Sequence, residues 1–100
     1  MIKHIVMWKF KEEAEGRSKL ENMKLVRDRL YALVPLVPEI KAMEIGFDFG
    51  NTPMSYDMML YTEFETKEAL NVYAVDSEHA KVKAIVAATT QARVVLDYEV

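Results

Sequence analysis

The chain has 100 residues, 51% apolar and 29% charged, which is the balance of one folded domain over residues 1–100 and excludes a disordered segment. Thirteen Lys and Arg against sixteen Asp and Glu leave a charge of −3, which argues against a reader of duplex DNA, since that needs a basic face, and no nucleic-acid partner is expected. There is no cysteine for disulfides, thiolate metal sites or nucleophiles, no apolar run near the roughly 18 residues of a membrane span, and no signal-peptide pattern in MIKHIVMWKFK, so the expected setting is cytoplasmic, without a membrane partner.

The first eleven residues alternate as a strand does. Ile2, His4, Val6, Trp8 and Phe10 fall on one face, Lys3, Ile5, Met7 and Lys9 on the other. Lys11 to Gly16 is charged and reads as a loop. Ser18 followed by Glu21 has capping-box spacing, and Met23, Val26, Leu30, Leu33 and Val37 then recur three and four apart along one helix face. Val34 precedes Pro35, so the helix is expected to end near there. A second strand is expected from Ile40 to Phe47 and a third from Ser55 to Phe64. Thr66 is a fitting N-cap for a helix burying Leu70 and Tyr73, and Asp76-Ser77 breaks that helix and caps another. From Gln91 to Val100 apolar residues alternate again, as a last strand.

This order predicts an α+β fold, a ferredoxin-like four-stranded antiparallel sheet with helices on one face. Helices cover only one side of such a sheet, yet the first and third strands carry apolar residues on both faces. A sheet wet on one side shows clean apolar/polar alternation. A second copy of the chain is the economical cover, and a homodimer is expected.

Four segments carry a resemblance: HIVMWKFK (His4 to Lys11), LVPEIKAMEIG (Leu36 to Gly46), YDMMLYTEFETKEALNVYAVDSEHAKV (Tyr56 to Val82) and VVLDYE (Val94 to Glu99). Together they resemble the stress-responsive A/B barrel family, over the whole chain and in order. The resemblance implies a dimeric α+β barrel in which two ferredoxin-like sheets face each other; most members have no assigned biochemical role. The family is similar in turn to the plant olivetolic acid cyclases, which close a linear poly-β-keto thioester into a ring. That similarity implies functional roles for His4, Tyr73 and His79, with His79 as base and Tyr73 assisting. Met58 stands where those cyclases have a further histidine and Leu30 near their first-helix tyrosine, so the substrate-tail pocket is not reproduced.

Each of these residues also has a plainer reading. His4 interrupts an apolar strand face, either as an imidazole in a cavity or as a core histidine bonded to a carbonyl or water. His79 belongs to the first turn of a helix, whose N-terminus keeps an imidazole neutral, while Asp76 and Glu78 pull the other way; alone it reads as a half-exposed surface residue. Tyr73, six residues earlier, reads alone as a core aromatic, and only the break at Asp76-Ser77 allows the two to converge. Trp8 and Met58 join His4 as candidate ligand contacts, although large side chains at alternate strand positions, Tyr31, Tyr56, Tyr61 and Met59 among them, are more often core or dimer interface. Asp57 and Glu63 have no His or Cys at ligand spacing, so no metal is expected. Without a glycine-rich phosphate loop, a GxSxG elbow or a haem-ligand pattern, no cofactor is expected either. The expected function is a homodimer of undefined biochemical role that binds an apolar or aromatic small molecule or serves a structural role. The alternative is a cofactor-independent cyclase or lyase, with His79 abstracting an α-proton and Tyr73 polarising a carbonyl. An open pocket beside His79 separates the two, because a filled core there favours the binder.

Overall fold

The elements follow one another as β1 (Ile2–Phe10), β2 (Glu13–Ala14), β3 (Arg17–Ser18), α1 (Lys19–Tyr31), β4 (Ala42–Phe47), β5 (Met58–Phe64), α2 (Lys67–Ala74), α3 (Ser77–Thr89) and β6 (Thr90–Glu99) in a computed structural model describing residues 1–100. One antiparallel sheet runs β4-β5-β1-β6, so the strand with the sharpest alternation is interior. Ile2, Val6, Trp8 and Phe10 of β1 are buried with Met58, Leu60 and Phe64 of β5, and Met23, Val26 and Leu30 of α1 close over them. This is the expected α+β, ferredoxin-like arrangement. No helix is long and apolar enough to cross a membrane.

Local chemistry sets the element ends. The Ser18 hydroxyl accepts from the Glu21 amide at 3.2 Å, and the Glu21 carboxylate accepts from the Ser18 amide at 3.0 Å, which starts α1. The helix stops at Tyr31, ahead of the expected Val34. Single turns carry the chain on, Leu33 N–H to the Leu30 carbonyl at 3.0 Å and Val34 N–H to that of Tyr31 at 3.2 Å. Leu33 and Val37 therefore stay buried in the helical register although they lie outside the helix.

Within the expected loop Lys11 to Gly16, β2 and β3 pair as a two-residue hairpin. Its central residues Glu15 (φ 55°) and Gly16 (φ 73°) both adopt the left-handed backbone that such a connection requires. Two strands also start later than expected, at Ala42 and Met58. Before β5, the Asp57 carboxylate accepts from the Phe10 amide at 2.7 Å, where the pairing of β1 with β6 shifts register. Asp57 thus serves the end of β1.

The centre of the face turned away from the helices is apolar, with Lys3, Lys9, Glu44 and Glu63 around it. Cross-strand register lines up Met59, Met7 and Val94 in one row and Tyr61, Ile5 and Leu96 in the next. Met7 and Leu96 are 37% and 58% exposed in the single chain.

Candidate active site

The break between α2 and α3 builds the site. Asp76 is the N-cap of α3, its Oδ1 accepting from the amides of Glu78 at 2.8 Å and His79 at 3.0 Å. The turn folds His79 back onto the end of α2. There its Nδ1 lies 2.8 Å from the Tyr73 carbonyl oxygen, and its ring stacks on the Tyr73 ring at 3.9 Å between centroids, 18° from parallel. A carbonyl only accepts, so Nδ1 carries the hydrogen. In the neutral imidazole Nε2 then keeps the lone pair. The side chains thus meet face to face, and the bond between the residues runs through the backbone of Tyr73.

Both rings line a cavity of about 250 Å³ between helices and sheet, with His4, Val6 and Trp8 of β1 on the opposite wall. Tyr73 is only 1% exposed and Trp8 only 4%. Yet the Tyr73 hydroxyl and the Trp8 indole N–H are both buried without a hydrogen-bond partner. An unmet buried polar group costs about 1–3 kcal/mol, and here two belong to residues on facing walls of one cavity. His4 meets Tyr73 edge-on at 6.4 Å, and its Nδ1 bonds the Asp97 carboxylate across the sheet.

Of the residues singled out in the sequence, His4, Trp8, Tyr73 and His79 are brought together and Met58 is not. Met58 is 1% exposed in the core and borders a different hollow, near Phe47 and Tyr56. It points to the helix side opposite Trp8, but of β5 only Leu60, opposite Val6, reaches the cavity wall. Leu30, opposite the first-helix tyrosine of the cyclases, does line the cavity. Three polar residues escaped the sequence reading: Asp97, Lys83 and Arg93. The signal for Asp97 was its place in the inward-facing set of the last strand, opposite His4 once the register is known.

A family profile described as the stress responsive A/B barrel domain matches residues 2–100. The chain belongs to that family. A dimeric Bacteroides fragilis protein of ferredoxin-like fold and unknown function superposes on this barrel-domain chain with a TM-score of 0.87 at 29% identity, over 99% of this chain and 95% of that one. For an Arabidopsis thaliana protein the TM-score is 0.82 at 25% identity, over 99% and 94%. A hydroxynitrile lyase from Passiflora edulis superposes at 0.83 with 16% identity, over 97% and 90%, and shares the fold alone. No curated protein matches the chain in sequence.

Electrostatics in this barrel domain favour a neutral His79. Burial pushes its pKa below the ordinary 6.5, with Lys83 and His4 adding to the effect, against the Tyr73 carbonyl bond and Asp76. Burial, more than the helix end, decides the balance the sequence left open. Burial likewise pushes the Tyr73 phenol well above its ordinary 10, with Arg93 opposing, so the hydroxyl stays a donor throughout the working range. The linkage has a definite sign. Between the lowered folded pKa of His79 and 6.5 the unfolded chain binds more protons, so stability rises with pH across that window and His79 adds no further slope above it. The melting temperature is expected to fall more steeply below pH 6.5 in the native chain than in His79→Gln. Equal slopes in thermal scans from pH 5 to 8 are the opposing result (roughly the range in which histidine titrates).

Proposed function

We propose that the barrel-domain chain acts as a homodimer, each protomer carrying a proton-transfer site for small carbonyl compounds in its own cavity. His79 Nε2 takes a proton from the carbon next to the carbonyl. The electron pair of the broken C–H bond moves into the carbonyl, whose oxygen gains negative charge and accepts from the Tyr73 hydroxyl. A lyase or cyclase step begins in this way, and an architecture shared with a hydroxynitrile lyase suits it at the level of fold. One observation carries the reading: a histidine whose Nδ1 is already bonded stacks on a buried tyrosine whose hydroxyl has no partner.

The pure binder uses the same cavity, but an apolar ligand leaves both buried donors unmet, which favours the carbonyl site. The volume sets the scale. About 250 Å³ lies below the roughly 300–1,000 Å³ of drug-sized sites and above the 150 Å³ or so that takes up benzene, so the ligand is a ring or short chain with one or two polar groups. The test is deuterium uptake from D2O into phenylacetone and α-methyl acetoacetate esters, followed by proton NMR. Saturable exchange above the buffer rate is expected, and exchange no faster than buffer with both classes removes the enzymatic reading.

A further inference from the structure

The chain is acidic overall, at −3, yet two cations, Lys83 and Arg93, and no carboxylate line the cavity. Asp97, on the same face of β6, is held by His4. Lys83 donates to the Ala74 carbonyl at the end of α2, at 2.6 Å. Arg93 pairs with no carboxylate in the structure. It sits directly opposite Trp8 in the register of β6 against β1, so the two side chains share a face and lie side by side over the sheet. Indole N–H is a donor only, and a guanidinium is a donor that always carries charge. An unmet buried donor next to an unpaired cation is the complement of an oxyanion.

We infer that the cavity selects a small keto acid, its ketone oxygen at the Tyr73 hydroxyl and its carboxylate between Trp8 Nε1 and the Arg93 guanidinium. This rests on the reading of the cavity as a carbonyl site and names its substrate class. The apolar wall from Val6, Leu60 and Val86 takes the carbon chain between the two polar ends. Arg93 stands at the solvent side of the cavity, where a carboxylate keeps part of its hydration and needs no buried counter-charge. Trp8 Nε1 supplies the deeper bond.

The chain's single tryptophan makes the test direct, because all indole fluorescence comes from Trp8. Levulinate and its neutral methyl ester, which differ in charge and by one methyl group, are titrated against the native protein. The acid is expected to saturate the signal at a concentration about tenfold below the ester, as a charge-assisted bond to Arg requires. Arg93→Gln is expected to erase that preference. Trp8→Phe, followed by NMR shift titration, is expected to weaken the acid more than the ester. Equal binding of acid and ester by the native protein overturns the inference and leaves the carbonyl site standing. A preference for acid with no α-exchange in any ketone upholds the anion end and removes the proton-transfer reading instead. If neither probe saturates at millimolar concentration, the keto-acid assignment is wrong.

Discussion

His79→Gln is expected to slow α-deuterium exchange by about 10²–10⁴-fold, the range a positioned base contributes, while circular dichroism and oligomeric mass stay unchanged. The loss is large because His79 is the imidazole that stacks on the Tyr73 ring. Its Nδ1 is tied to the Tyr73 carbonyl, which leaves Nε2 as its free lone pair, and burial holds the ring neutral at pH 7. His4 faces the same space but has its Nδ1 on Asp97, a different setting from a carbonyl-bonded imidazole. Tyr73→Phe is expected to cost about 10²–10³-fold in the same assay, the worth of one donor to a developing oxyanion. Its effect on stability has the opposite sign. The hydroxyl is buried and unpaired, so removing it relieves a desolvation cost, and the melting temperature is expected to hold or rise. A core tyrosine with a structural hydroxyl gives the reverse pattern: lower melting temperature and unchanged exchange. The double variant is expected to fall little below the worse single one, because base and donor act on one transition state. Native-like exchange in His79→Gln removes the catalytic assignment.

Much of this architecture is written in local patterns. Alternation over Ile2 to Phe10 marks a strand, Ser18 with Glu21 marks a helix start, and Asp76-Ser77 marks the break that allows His79 to turn back toward Tyr73. What stays hidden depends on register and on angles between elements. His4 meets Asp97 across 93 residues, and no local pattern states the offset at which two strands pair. The same holds for Arg93 opposite Trp8. Met58 shows the limit from the other side: alternation puts it on the same face as Leu60, and nothing local says that Leu60 lines the cavity while Met58 does not. The hairpin of β2 and β3 is too short for any periodicity to show. The Tyr73–His79 stack depends on how α2 and α3 are set against each other, which a capping residue permits but does not specify.

A single charge on the outer sheet face is expected to split the proposed homodimer. Light scattering of the native chain at micromolar concentration is expected to give about 23 kDa, twice the chain's 11.5 kDa, and Met7→Asp about half of that. Met7 stands on an interior strand between Met59 and Val94, so in a two-fold assembly of these faces it lies in the apolar seam and appears twice. Each introduced carboxylate then has to give up its hydration without a partner, at several kcal/mol apiece, which raises the dimer dissociation constant by more than about 10³-fold. In the separated chain the same carboxylate faces water on a surface where Met7 is already 37% exposed, so the protomer is expected to remain folded by circular dichroism. The native melting temperature is expected to rise with protein concentration and that of Met7→Asp to be independent of it. A native chain that runs as a monomer removes the homodimer, and a Met7→Asp chain that stays dimeric places the interface elsewhere. Because the cavity lies on the helix side of the sheet, Met7→Asp also separates assembly from chemistry. A folded monomer that still exchanges α-protons places every group the reaction needs within one chain, whereas a folded, inactive monomer makes the site incomplete without its partner.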